Sequence, residues 1–294
     1  RDVLGEARTH VGGTSARKSN VKLSAAAING YTMNTGDVFS YNGVVGQRTA
    51  ANGYQAAPAY VKGETVDEIG GGICQTSSTL YLACLRSNLE ITERYAHRYI
   101  PAYITAGMDA TVSWGGPDYK FTNNTQYPIK IVTTYADGYL TVKVLGTNVD
   151  GTSVKMTNEW LSTTPYEVVY EDDSTLPAGT EKVKTSPYTG YKYRTYRNVY
   201  DANGKLISST YEATSDYKSR DKVVLRGPAV ESPDTPVLGP EEIPVPSEPG
   251  DVTPAEPGEL PEPPTDSANP PETDSGQSPE TTPPPLIVIP EEGI

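Results

Sequence analysis

Apolar residues in the first half of the chain recur at two spacings. Val21, Ala25 and Ile28 stand four and then three apart ahead of Gly30, so the stretch from about 19 to 30 predicts a short amphipathic helix. Leu80, Tyr81, Cys84 and Leu85 repeat the pattern, with Arg86 in the last turn and Asn88 as a stop, and predict a second helix over about 75–87. Elsewhere apolar and polar positions alternate. They predict strands over 57–61, 89–95 and 99–104, a turn at Gly63-Glu64, and a hairpin of 128–134 with 139–145 turned by Asp137-Gly138. Residues ahead of the first helix read as a polar stretch, and Asn34-Thr35-Gly36-Asp37 as a turn into a short strand.

An α+β domain of mixed helix and antiparallel sheet over 1–150 accounts for this pattern. Residues 151–230 change character. Alternating runs at 166–170, 191–200 and 205–211, separated by Leu176-Pro177-Ala178-Gly179-Thr180 and Asn203-Gly204, show no helical period and predict a small all-β module. Residues 231–294 hold 18 of the 26 prolines and 15 of the 37 acidic residues with no Lys or Arg, the composition of a disordered, self-repelling tail.

That tail carries the charge. Of the net −13, the first 230 residues contribute almost nothing, with 24 basic against 22 acidic side chains, so no basic stripe is present for nucleic acid. No apolar run is long enough to cross a membrane. The chain opens at Arg1 without a signal peptide, and is expected to be the outer portion of a protein whose targeting segment or anchor lies outside it. Its 21 tyrosines against 2 phenylalanines supply amphipathic rings suited to covering sheets or stacking on sugars.

Candidate chemistry concentrates at Gly70-Gly71-Gly72-Ile73-Cys74-Gln75-Thr76. Consecutive glycines turn the backbone sharply and bring bare N–H groups near a ligand. Cys74 then sits at a helix N-terminus, where orphan N–H groups and the helix dipole favour a thiolate. Cys84, ten residues further along the same helix, is about 15 Å away, beyond the reach of a disulfide, and continues the apolar stripe. A thiol acyl-transfer site also needs a base, a group orienting that base and donors for the oxyanion. His97 and Asp109 fit the first two roles, on successive strands after the helix. Gly71, Gly72, Gln75 and Thr76 are the candidates for oxyanion and substrate binding. Plainer readings exist for each: a buried structural thiol, a hydrogen-bonded strand-end histidine, a turn-capping aspartate. Two cysteines on one helix with His10 and His97 far apart lack the clustered spacing of a metal site, and neither metal nor cofactor is expected.

These blocks resemble the VanW family of bacterial cell-envelope proteins. The resemblance rests on Asn34-Thr35-Gly36-Asp37-Val38-Phe39-Ser40-Tyr41-Asn42, Val45-Gly46-Gln47-Arg48-Thr49 with Gly53-Tyr54, the block from Gly70 to Tyr81, Glu93-Arg94 with His97, Gly107 with Asp109-Ala110-Thr111-Val112, and Phe121 onward to Pro128-Ile129. It covers about 18–130, and 165–227 resembles a G5-type β module. The resemblance implies an extracytoplasmic protein at the cell wall or anchored to the outer surface. It also implies an L,D-transpeptidase: Cys74 attacks the third residue's carbonyl in a tetrapeptide stem, terminal D-Ala leaves, and a side-chain amine of a neighbouring stem resolves the thioester as a 3→3 cross-link. Peptidoglycan stem peptides are then the partners, with wall glycan a further partner of the β module. The His-Gly pair that precedes the cysteine in the better-known L,D-transpeptidase motif is absent, so shared activity would rest on another fold. Arg98 replaces the small residue expected after the histidine and joins the candidates for substrate contact. Two other functions compete: a cysteine peptidase of peptidoglycan using the same acyl-thiol, and a non-catalytic module gripping wall glycan.

Overall fold

The structure, a computed structural model, describes residues 1–61 and 64–230. The expected turn at Gly63-Glu64 lies partly, and the expected disordered tail wholly, outside the described residues. Strand β1 (Asp2–His10) precedes helix α1 (Ser15–Ile28), which Thr14 caps by accepting from the Arg17 amide at 3.2 Å. Then come β2 (Thr32–Met33), β3 (Val38–Ser40), the short α2 (Tyr41–Val45), β4 (Ala56–Val61), β5 (Glu64–Ile69) and the central helix α3 (Ile73–Arg86). Strands β6 (Glu90–Glu93), β7 (Lys120–Thr122), β8 (Ile129–Ala136) and β9 (Tyr139–Gly146) follow.

Helices α1 and α3 pack on an antiparallel sheet of order β1-β9-β8-β2. Val21 and Ile28 of α1 and Leu80 and Leu85 of α3 meet Ile131, Val142 and Val144 in one core. Asp137 and Gly138 turn the β8–β9 hairpin with φ of 52° and 79°, the left-handed pair that a two-residue turn requires. A smaller sheet, β3-β7-β6, stacks Phe39 on Phe121 with ring centroids 4.9 Å apart.

Two sequence expectations give way here. The opening polar stretch, for which no element was expected, is a strand: β1 pairs with β9 along its length. Its inward face is Gly5, Ala7 and Thr9, so no apolar alternation marks it, and it runs close against α3 because Gly5 has no side chain. Residues 99–104 form no strand either. Their neighbourhood spends its backbone groups on the second module: the Ile100 amide donates to the Tyr188 hydroxyl at 2.9 Å, and the Arg98 carbonyl accepts from the Lys218 amide at 2.8 Å.

The second module contains β10 (Ser153–Thr164), β11 (Val168–Asp172), β12 (Glu181–Thr185), β13 (Gly190–Tyr200), β14 (Leu206–Tyr217) and β15 (Lys222–Arg226). They make two three-stranded sheets, β10-β13-β14 antiparallel throughout, and β11-β15-β12 in which β11 runs parallel to β15. The first of these lays a buried face on the α+β domain. Asn158 donates to the Ala106 carbonyl at 3.0 Å, and Arg197, paired with Glu212 at 2.8 Å, donates to the Leu89 carbonyl at 2.8 Å.

The β1–α3 approach is testable. A Cβ at Gly5 would lie 2.5 Å from the Ala83 carbonyl oxygen and 2.6 Å from the Ser87 amide, so backbone must move. Gly5→Ala is expected to lower stability by about 1–3 kcal/mol in urea unfolding, and an unchanged midpoint would refute the packing described.

Candidate active site

Helix α3 begins where Gly72 adopts φ 103°, a conformation that side-chain-bearing residues rarely take, and Gly71 lies too close to the Ala57 carbonyl for any Cβ. The helix starts two residues earlier than its spacing suggested, so Cys74 belongs to the first turn. Its Sγ is partly buried, 3.4 Å from the Val112 carbonyl oxygen and 3.8 Å from Thr111 Oγ1. Cys84, a helix length away, is fully buried, and burial pushes its thiol up to about 12. Both cysteines are free.

The structure brings Cys74, His97 and Asp109 together. His97 Nδ1 lies 2.7 Å from Asp109 Oδ2, which also accepts the His97 backbone N–H at 2.7 Å. The remaining ring nitrogen, Nε2, is free of Asp109, and the imidazole and the Cys74 thiol lie near enough for each to shift the other's ionisation. Neither His97 nor Asp109 lies on a strand, contrary to the sequence expectation. Both sit on irregular segments laced to each other and to α3. The Thr111 amide donates to the Tyr95 carbonyl at 2.9 Å; Ser77 Oγ donates to the Ala110 carbonyl at 2.6 Å; the Ala110 amide donates to Ser78 Oγ at 3.0 Å.

Asp109 is fully buried and fully partnered. Besides the two His97 bonds, its Oδ1 accepts from Arg94 Nη2 at 3.1 Å and from the Tyr217 hydroxyl at 2.5 Å. Burial alone would raise its pKa, but the hydrogen bond to His97 and the Arg94 guanidinium outweigh burial and hold it below the usual carboxylate value. Burial likewise opposes charge on His97, yet the bonds to Asp109 and Cys74 raise the imidazole to about 9. The thiol is raised by burial and lowered more by His97, ending below its ordinary value. Both shifts favour the thiolate–imidazolium form of the pair over the neutral one.

The other sequence candidates have different surroundings. Gln75 donates to Thr9 Oγ1 at 2.9 Å and to the His10 carbonyl at 2.8 Å while accepting from Arg17 Nη2 at 2.7 Å, so its amide is engaged in a buried network. Thr76 is buried and bonded to Ser24 at 2.7 Å, facing α1. Arg98 is exposed, its Nε donating to the Tyr99 hydroxyl at 3.2 Å. At the α3 start the amides of Gly71, Ile73 and Gln75 already donate to the Glu68, Gly70 and Gly72 carbonyls, so the backbone candidates for an oxyanion narrow to Gly72 and Cys74. Sequence reading missed Arg94 and Tyr217 as partners of Asp109, and Arg17 and Tyr103 as neighbours whose charge bears on Cys74. Arg94 alone left a signal, standing in a quoted motif beside His97. Among the described residues, no group of three or more His, Cys, Asp or Glu is placed to hold a metal, and no helix is long and apolar enough to cross a membrane.

Comparison with known proteins supplies context. Residues 16–145 match the VanW like protein family, and residues 154–229 match the G5 domain. The chain is 40% identical over 153 residues to the uncharacterized protein YoaR of Bacillus subtilis strain 168, covering 52% of this chain and 50% of that protein. It is 31% identical over 123 residues to the vancomycin B-type resistance protein VanW of Enterococcus faecalis, strain ATCC 700802 / V583, covering 40% and 45%. The chain thus spans about half the length of the curated relatives it matches. Among solved structures, an IgA1 protease G5 domain aligns with 94% of its length and 27% of this chain at 18% identity and a TM-score of 0.20. The HP0197 G5 domain aligns with 97% of its length and 26% of this chain at 17% identity and a TM-score of 0.17.

The electrostatics set a measurable profile. Because the Cys74 value is depressed, thiolate is present above that lowered value, and the ion pair persists until His97 deprotonates near 9. Iodoacetamide is expected to modify Cys74 with a half-point below the ordinary thiol value of about 8.5, and to leave Cys84 untouched until unfolding. In His97→Gln the half-point moves upward by about one unit or more, roughly tenfold less thiolate at pH 7. An ordinary profile in the unmodified chain would contradict the ion pair.

Proposed function

For this chain, which carries a VanW-like domain followed by a G5 domain, we propose that Cys74 is the nucleophile of an acyl transfer on the peptide stems of peptidoglycan. Proteins built from these domains are extracytoplasmic and cell-wall-associated, so the wall's own peptides are the accessible substrate. One observation carries the reading: a partly buried thiol whose ionisation is favoured by the neighbouring His97, itself held through Nδ1 by a fully buried carboxylate.

The steps follow from that geometry. Thiolate Sγ attacks the carbonyl carbon of the stem's third residue, and N–H groups of the α3 start receive the developing oxyanion. As the peptide bond breaks, His97 gives its proton to the amine of the departing D-Ala, and a thioester remains on Cys74. The side-chain amine of a second stem then attacks the thioester, His97 takes up a proton, and the thiolate is regenerated with a 3→3 cross-link formed. Water in place of the amine would give a carboxypeptidase by the same route. Asp109 keeps Nδ1–H directed at itself, so Nε2 faces the sulfur in both steps.

A second reading is a wall-binding module without turnover, favoured by the G5 domain and by Tyr170 and Tyr211, exposed to 47% and 58%. Incubation with disaccharide-tetrapeptide, followed by mass spectrometry of protein and products, separates them. Transpeptidation gives a thioester adduct on Cys74 and a cross-linked dimer, both lost in Cys74→Ala. Loss of D-Ala without dimer identifies hydrolysis. Unchanged substrate and no adduct would leave the binding module as the function.

A further inference from the structure

Asp109 is held from two directions by different parts of the chain. From its own domain come His97 and Arg94; from β14 of the G5 domain comes the Tyr217 hydroxyl, which donates to Asp109 Oδ1 at 2.5 Å and accepts from the Gly107 amide at 2.6 Å. Arg94 is shared as well. Its Nε donates to the Asp109 carbonyl at 2.6 Å, its Nη2 to Oδ1, and its Nη1 to Ser215 Oγ at 2.8 Å, also on β14. Tyr217 and Ser215 are 1% exposed, so these bonds are shielded from water. Gly107 fits the interface because a Cβ there would stand 2.4 Å from Thr195 Cγ2 of β13. The two domains are therefore joined at the residue that orients the base.

We propose that the G5 sheet is a working part of the thiol site, with Tyr217 as a positioning residue that fixes the Asp109 carboxylate and, through it, His97, assisted by Ser215 acting on Arg94. The inference rests on the acyl-transfer reading of Cys74. It assigns the G5 domain a role inside the catalytic assembly, beyond reaching the wall or spacing the first domain from it. Its physical basis is competition for one carboxylate. While the hydroxyl is present, it occupies Oδ1 and satisfies the Gly107 amide, leaving Oδ2 to His97. Without it, two buried donors, the Gly107 amide and Arg94 Nη2, draw the carboxylate away from the imidazole. Burial and the adjoining carboxylate keep the Tyr217 phenol protonated, so it remains a donor across the working range.

Other charges facing the site stay in place in the test. Asp109 is faced by Arg94 and His97, with the Tyr81 and Tyr103 hydroxyls further off, and Cys74 by His97, Arg17 of α1, Tyr41 of α2 and Tyr103.

The experiment is the pH profile of Cys74 alkylation by iodoacetamide in the full chain, with Cys84 reactivity as an internal report on folding. Tyr217→Phe, which removes only the hydroxyl, is expected to move the half-point upward by about one unit, roughly a tenfold loss of alkylation rate at pH 7. Thr210→Val, which removes an exposed hydroxyl from the same strand, should reproduce the unmodified profile. A Tyr217→Phe profile that coincides with the unmodified chain or moves downward overturns the proposal. If Cys84 becomes reactive, the variant has opened the fold, and Ser215→Ala decides on the same readout: an upward shift supports the proposal and coincidence overturns it. An ordinary thiol profile in the unmodified chain removes the acyl-transfer reading itself, an outcome distinct from failure of Tyr217 alone.

Discussion

Helix α3 is buried on every face, including the polar run Gln75-Thr76-Ser77-Ser78-Thr79, and much of the surrounding structure exists to satisfy it. A hydroxyl or amide taken out of water without a partner costs about 1–3 kcal/mol, so five in succession cannot be left unmet. Together they reach three separate parts of the chain. Gln75 and Thr79 bond to Thr9 of β1, Thr76 to Ser24 of α1, and Ser77 and Ser78 to the backbone of Ala110. The helix therefore acts as a polar hub, and its bonding demands set the positions of β1, α1 and the segment that carries Asp109.

That demand reaches the chemistry directly. With Ala110 pinned to Ser77 and Ser78, Asp109 lies on one side of the pinned residue, and Thr111 and Val112 on the other, against Cys74 Sγ. His97 is bonded to the carboxylate through both its backbone N–H and Nδ1, and its charge bears on the sulfur. A buried carboxylate with one weak partner would take up a proton and stop orienting its histidine. Here two bonds from His97, one from Arg94 and one from Tyr217 keep it ionised, and its charge in turn supports an imidazolium beside the thiol. Burial raises the cost of each charge taken alone and strengthens their attraction taken together.

The interface between the two domains has the same polar, buried character. Arg197 reaches Asn88 and Leu89, Asn158 reaches Ala106, and Tyr217 and Ser215 reach Asp109 and Arg94. Arg197 and Asn158 donate to backbone carbonyls that have no strand neighbour to pair with, Tyr217 donates to the Asp109 carboxylate, and Ser215 accepts from Arg94. The same exchange explains why residues 99–104 fail to become a strand despite their alternation: a hydroxyl and an amide of the second module take bonds that a neighbouring strand would otherwise have supplied.

The sequence by itself determined the α+β and all-β division, the two helices, the β8–β9 hairpin and the three residues most worth examining. Those signals are local. Helical spacing, an Asp-Gly turn and a cysteine after three glycines can be read within a few neighbours, and with only two cysteines and two histidines few pairings were available. Tertiary structure decided what depends on distant partners. Strand β1 was hidden because its inward face is Gly5, Ala7 and Thr9, small residues whose value lies in how closely α3 can approach. Gln75 looked free for an oxyanion until Thr9, His10 and Arg17 converged on its amide. Tyr217, one of 21 tyrosines and 108 residues from Asp109, carries no local mark of its role, since a single hydrogen bond across a domain interface leaves no periodicity behind.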